Sequence, residues 1–299
     1  MIYIDHGLCS TTAMTLSCLD HIKRNTDGQA LVKRPPAPPQ AVLFTFAVDR
    51  SGSMRSYGSA VVEQTNKLIG EQKAFSVDRG IPTFMTLTTF DDVTDDRMSK
   101  ANLNNIEIPT LLELSDWLSP RNCTRLLDTA IESLNKLIDF RRKYVRKFSR
   151  EIRGLITNDS IRMIFALFTD GFDNASDWTS GDLRRKMKEF DKHGGVAMFM
   201  AANQDAIYTG GRFGFSEARS LSVGVTKRTA TSALGCTSGL LKSASAGERD
   251  VSYTPTMRES SQECSYVTPN YIPDNDSDSE DDSEDDTHNM INSIPPTRV

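Results

Sequence analysis

Paired cysteines are missing from this 299-residue sequence: the five present, at positions 9, 18, 123, 236 and 264, are odd in number, widely spaced and contain no Cys-x-x-Cys. That pattern argues against a disulfide framework or a cysteine zinc site and points to reduced thiols in an intracellular setting. Histidine is scarce as well. His6, His21, His193 and His288 are scattered along the chain and form no paired-histidine motif. There is no Walker loop and no Gly-x-Ser-x-Gly elbow, so the common signatures of nucleotide hydrolysis and acyl transfer are absent. No eighteen apolar residues run together, and the amino terminus lacks a basic region followed by an apolar core, so neither a membrane span nor a signal peptide is expected. No repeat of fixed period is visible. The expected location is cytoplasmic.

What is present starts with 38% hydrophobic residues, enough for a sizeable core in one large or two small domains. The stretch Ala41-Val42-Leu43-Phe44-Thr45-Phe46-Ala47-Val48 is a buried strand by composition, and it ends abruptly in Asp49-Arg50-Ser51-Gly52-Ser53. Asp49, Ser51 and Ser53 alternate along this turn. A sharply bent backbone, permitted by Gly52, can aim one carboxylate and two hydroxyls at one point, a donor set suited to a hard cation. A solvated turn has the same composition. Two later segments bear on the choice: Ser119-Pro120-Arg121-Asn122-Cys123-Thr124 opens a helix, and Ile164-Phe165-Ala166-Leu167-Phe168-Thr169 is an apolar strand ending in Asp170-Gly171.

With these three segments in order, the chain over residues 41–245 resembles a von Willebrand factor A (vWA) domain, whose metal-ion-dependent adhesion site (MIDAS) combines Asp-x-Ser-x-Ser with a distant Thr and a distant Asp. The matching positions are Asp49, Ser51, Ser53, Thr124 and Asp170. A departure falls at Asn122-Cys123, where the family usually has glycine before the threonine. The resemblance implies a doubly wound α/β fold of the Rossmann-like kind, with a mostly parallel central sheet and helices on both faces. It also implies Mg²⁺ or Mn²⁺ held directly by Ser51, Ser53 and Thr124, with Asp49 and Asp170 acting chiefly through bound waters. The open position of the ion would take an exposed Asp or Glu of a protein partner. Asn203-Gln204-Asp205-Ala206, after a late apolar strand, resembles a stretch common in a bacterial and phage subgroup of the family and suggests a phage- or virus-encoded protein.

Along the chain, Pro35-Pro36-Ala37-Pro38-Pro39 reads as a spacer that closes an amino-terminal arm, residues 1–40. Helical spacing predicts a helix over 57–75, then a strand over Phe84–Phe90. The acids Asp91, Asp92, Asp95 and Asp96 lack calcium-loop spacing and read as a solvated loop, with a short edge strand over Ile106–Ile108. A long amphipathic helix over Leu126–Phe148 ends in dense basic charge, Arg141 to Arg153, which suits either a solvated helix end or contact with nucleic acid or an acidic partner. A strand over Arg162–Thr169 follows, then a capping box, Thr179-x-x-Asp182, opening a helix, and a buried strand over Val196–Met200. A last strand and helix are expected within 220–245. Residues 246–299 are expected to be a largely disordered tail, with nine acids between Asp274 and Asp286. Only Arg298 opposes them after residue 270, so with a formal charge of -5 overall, residues 1–270 carry +3. Ser277, Ser279 and Ser283 each have an acid three residues on, an acidophilic-kinase pattern.

The leading functional expectation is a Mg²⁺-dependent protein-interaction module that is not an enzyme. A metal-dependent phosphohydrolase using Asp49 or Asp170 is the first alternative, although no Asp-x-Asp pair accompanies the metal motif. A nucleic-acid-binding protein acting through the basic helix end is the second.

Overall fold

A computed structural model describes residues 39–262. The arm and most of the proline-rich spacer, together with the acidic segment and its serines, lie outside the described residues. Strand β1 (Ala41–Asp49) leads through a 3-10 turn (Gly52–Tyr57) to α1 (Ala60–Arg79), β2 (Thr83–Phe90) and β3 (Thr94–Asn102). Helices α2 (Leu111–Trp117), α3 (Leu126–Val145) and the single turn α4 (Arg150–Arg153) precede β4 (Ile161–Thr169). The remaining elements are α5 (Ser180–Lys192), β5 (Val196–Ala202), α6 (Ala206–Phe213), β6 (Ser220–Val223), α7 (Lys227–Ser245) and α8 (Pro255–Ser261).

The six strands lie in the order β3-β2-β1-β4-β5-β6, all parallel except β3. The doubly wound α/β arrangement expected from the sequence is therefore present. All nine residues of β1 and of β4 are buried, which is why both read as continuous apolar runs: a parallel strand covered on both faces has no solvent side to leave polar. Alternate residues divide between two cores. Val42, Phe44, Phe46 and Val48 belong to the one containing Leu68 and Ile69 of α1 and Leu234 and Leu241 of α7. Leu43 and Ala47 belong to the other, with Leu134 of α3, Leu183 of α5 and Ala206 of α6. The chain winds outward from β1 in one direction to β2 and β3 and in the other to β4, β5 and β6. In such sheets the crevice outside the carboxyl ends, where the winding reverses, is the ligand-binding position. Here that crevice lies between β1 and β4.

Three expectations are corrected. Of the four acids after β2 only Asp92 lies exposed in a loop: Asp91 is fully buried, and Asp95 and Asp96 lie on β3, paired antiparallel with Thr89 and Thr88. The edge strand is β3 rather than Ile106–Ile108, and its polar sequence, Thr-Asp-Asp-Arg-Met-Ser-Lys-Ala-Asn, buries only Met98 and so has no apolar period to read. The packed chain also continues past 245. Val251 and Tyr253 are buried, the Tyr253 hydroxyl lies 2.8 Å from Thr237 Oγ1, and α8 packs on α7 and β6. Among the described residues, no helix is long and apolar enough to cross a membrane.

Candidate metal centre

Asp49 is the last residue of β1 and is only 1% exposed. Its Oδ1 accepts from the Ser51 backbone N–H at 2.6 Å, and its Oδ2 accepts from Thr169 Oγ1 at 2.6 Å, so the carboxylate is gripped by its own turn and by the neighbouring strand. Ser51 Oγ lies 3.1 Å from Ser53 Oγ, and Ser53 Oγ donates to Asp170 Oδ1 at 2.6 Å. Four of the five expected residues thus form one continuous hydrogen-bonded chain across the β1–β4 crevice. Thr124 reaches the same place from the third loop. A Cβ built on Gly171 would sit 3.0 Å from Thr124 Oγ1, 3.6 Å from Ser53 Oγ and 3.9 Å from Ser51 Oγ. The three hydroxyls therefore surround a small space that only glycine at 171 leaves open.

Two buried carboxylates meet here without a cation beside them: among the described residues, neither Asp49 nor Asp170 has a salt bridge. Burial pushes Asp49 up to about 6, against the lowering effect of the Thr169 and Ser51 hydrogen bonds, and the nearby Asp170 charge pushes the same way as burial. Burial likewise raises Asp170, opposed by the Ser53 hydroxyl. Its second oxygen, Oδ2, is buried and has no hydrogen-bond partner. Burial, and then the Asp170 charge, raise the Tyr57 phenol as well.

The Thr124 loop is pinned from several sides. Gly52 N donates to Asn122 O at 3.2 Å, Arg121 N to Arg50 O at 2.8 Å, and Arg125 N to Asp91 O at 2.7 Å. Thr124 N donates to Asn174 Oδ1 at 2.8 Å, while Asp173 Oδ1 accepts from the free N–H groups of Leu126 and Leu127 at the start of α3. The departure at Asn122 has a local explanation: its φ is 54°, in the left-handed region that glycine enters freely and that asparagine tolerates better than most residues. An asparagine can therefore make the turn usually assigned to glycine, and its Nδ2 also donates to Asp92 Oδ1 at 3.0 Å.

Supporting residues include one that carried no sequence signal of its own, Arg50, and the Asn-Gln-Asp-Ala stretch. Arg50, the variable position of Asp-x-Ser-x-Ser, is 2% exposed and points away from the crevice. Its Nη2 donates to Asp95 Oδ2 at 2.6 Å and its Nε lies 3.1 Å from Asp91 Oδ2, which also accepts from Arg121 Nε. The Asp170 loop is held from β5, where Asn203 Nδ2 donates to Asp170 O and Gln204 Nε2 to Gly171 O, both at 3.1 Å. Asp205 caps α6 through the N–H groups of Ile207 and Tyr208. The Asn-Gln-Asp-Ala stretch thus has a physical task here, fixing the loop that carries Asp170. Among the described residues no group of three or more His, Cys, Asp or Glu side chains is arranged to hold a metal, so any cation at the crevice would depend on the hydroxyls.

Comparison with known proteins gives no match to a family model and none to a curated protein. Among solved structures, the chain is similar to a von Willebrand factor type A protein from Catenulispora acidiphila, at 12% identity and TM-score 0.47, covering 70% of this chain and 43% of that one. It is also similar to proximal thread matrix protein 1 from the mussel byssus with a zinc-occupied MIDAS motif, at 14% identity and TM-score 0.41, covering 70% and 46%. A third is the SpRpn10 VWA domain, at 12% identity and TM-score 0.41, covering 62% and 89%. The chain spans less than half the length of the first three structures matched.

Proposed function

We propose that Asp49, Ser51, Ser53, Thr124 and Asp170 bind one Mg²⁺ or Mn²⁺, and that the ion joins this chain to an exposed Asp or Glu of a protein partner without catalysing a reaction. The observation that carries the reading is the unpartnered, buried Oδ2 of Asp170 beside three converging hydroxyls. A buried carboxylate oxygen left without a donor is unfavourable unless something supplies positive charge. All five donors are oxygens, the chemistry Mg²⁺ selects, and two carboxylates balance its charge. Ser51, Ser53 and Thr124 would hold the ion directly, with Asp49 and Asp170 behind bound water. When bound, the ion supplies an electrophilic position that a partner carboxylate can complete.

The surroundings support a protein partner. Among the described residues the exposed aromatic side chains are Phe172, Trp178 and Tyr208. The first two lie on the loop that follows Asp170, and Tyr208 lies at the start of α6, just after the Asn203 and Gln204 tethers. Exposed aromatic residues around a charged centre are the composition of an interaction hot spot.

Calorimetry should show one Mg²⁺ site in the wild type and none in Asp49→Ala, with the circular dichroism spectrum unchanged; intact binding by the variant would remove the site. Partner capture in Mg²⁺ and in EDTA, for wild type and Thr124→Ala, then tests the adhesion step. Equal affinity in all four conditions would sink it, and Mg²⁺-dependent phosphatase turnover abolished by Asp49→Ala would replace it with the enzyme reading.

A further inference from the structure

The carboxyl end of α3, far along the helix from Thr124, borders a cavity of about 310 Å³ lined by Arg141, Arg142, Arg146, Arg153 and His193 over the apolar side chain of Ile138. Residues 141–153 hold seven Lys and Arg and a single acid, Glu151. Little of this charge is neutralised. Arg142 pairs with Asp139, both more than half exposed, and neither Arg146 nor Arg153 has a salt bridge among the described residues. Arg141 donates to Thr157 O and Asn158 Oδ1, yet its Nε is buried without a partner.

We propose that the basic segment 141–153, with this cleft at its centre and Lys143, Lys147 and Arg150 flanking it, is the docking site of the chain's own acidic segment, residues 274–286. The complementarity is close to one for one: thirteen residues with seven cations face thirteen residues with nine acids and no cation. Reach is sufficient. From Gln262, where the described chain ends, to Glu280 is eighteen residues, about 60 Å at full extension. A domain of some 220 residues is only about 45 Å across. Tethering gives the segment an effective concentration in the millimolar range, which favours it over any external polyanion of equal charge. The aromatic residues nearby favour it over nucleic acid. Phe140 and Tyr144 make edge-to-face contacts with each other and with Phe84, Phe148 makes one with Tyr144, and all three are partly buried, so none is a fully exposed ring of the kind on which bases stack. The docking is independent of the cation site.

Zero-length carbodiimide cross-linking of the full-length chain, read by mass spectrometry, tests the contact, because it joins lysine amines only to carboxylates they touch. At about 0.01 M salt Lys143 and Lys147 are expected to be joined to acids within 274–286, with roughly a tenfold loss of those products at about 1 M salt, where the screening length falls to about 3 Å. Arg146→Glu combined with Arg153→Glu should remove them at low salt too; the salt comparison uses the unaltered chain and stands even if that variant misfolds. Products spread evenly over Lys67, Lys188 and Lys227 would overturn the proposal. So would products formed only between isotopically distinct copies, or displacement of the tail by a stoichiometric DNA duplex at about 0.15 M salt, which would assign the cleft to nucleic acid.

Discussion

Adding one methyl group at Gly171 tests the proposed cation site without removing any of the oxygens assigned to it. The new Cβ would lie 3.0 Å from Thr124 Oγ1, tighter than the 3.4 Å at which ordinary contact begins, so the threonine must retreat by a few tenths of an ångström. Magnesium holds its oxygens at roughly 2.0–2.1 Å in near-ideal octahedral geometry, and a shift of about 0.3 Å is more than a tenth of the bond length. The backbone does not resist the change. Gly171 is not among the glycines with positive φ, and Gly→Ala at a compatible position favours the fold by about 0.4–1 kcal/mol through the unfolded chain. Stability in EDTA should therefore stay within about 1 kcal/mol of wild type, while Mg²⁺ affinity falls at least about tenfold, or 1.4 kcal/mol. At a Mg²⁺ concentration about 100 times the wild-type Kd, the ion stabilises wild type by about 2.7 kcal/mol and the variant by about half that. Calorimetry and thermal melts with and without Mg²⁺ measure both quantities. Wild-type affinity together with wild-type Mg²⁺ stabilisation in Gly171→Ala would show that nothing binds among these three hydroxyls.

Three further outcomes are expected. Asp91→Ala should destabilise the fold by about 1–3 kcal/mol in urea titration, because the buried Arg50 guanidinium loses one of its two carboxylates and keeps Asp95, while Arg121 loses its shortest ion pair; a change under about 0.5 kcal/mol would mean that Asp91 carries no weight in the network. Gly235→Ala, on an open face of α7 where the added methyl meets nothing within 4 Å, should raise stability by about 0.5–1 kcal/mol and leave Mg²⁺ binding alone, which makes it the control for the Gly171 variant. The third concerns pH. Because burial raises Asp49 from 3.8 to about 6, the metal-free fold favours its protonated form, and that contribution, up to about 3 kcal/mol, is present below pH 3.8 and lost as pH rises through 6. A bound cation reverses the preference, so the Mg²⁺-induced rise in Tm should be larger at about pH 7.5 than at about pH 5; equal shifts would disconnect Asp49 from the ion.

The parallel core was readable in the sequence because strands buried on both faces are apolar at every position, and β1, β4 and β5 are of that kind. Helices α3 and α5 were readable from one-sided apolar spacing and, for α5, from a capping box that the structure contains, Thr179 with Asp182. Polar elements were not. Strand β3 earns its place by backbone pairing with β2 and by ion pairs, neither of which leaves a hydrophobic period. Asp91 was misread for a related reason: a buried carboxylate and a solvated one have the same letter, and only Arg50 and Arg121, brought in from two other loops, distinguish them. The convergence of Asp49, Ser51, Ser53 and Asp170 was foreshadowed by two strand-end segments. The left-handed Asn122 and the amide tethers from Asn203 and Gln204 required coordinates, because what they do depends on φ and on which carbonyl lies opposite.

The two margins of the sheet are finished differently, and together they restrict how anything can attach to this molecule. On one side β3 presents Asp95, Asp96, Arg97 and Lys100, with Lys136 of α3 bound to Asp96. On the other, β6 is four residues long, and Arg258 of α8 donates to Ser220 O, occupying a carbonyl that an added strand would need. Charge on one border and a covering helix on the other are the means by which sheets avoid edge-to-edge growth. Both features oppose lengthening of the sheet by an extended peptide, which disfavours strand addition as a mode of recognition and as a route to self-templated aggregation. That arrangement turns recognition toward loops and helix surfaces, where side chains rather than backbone ladders choose the partner.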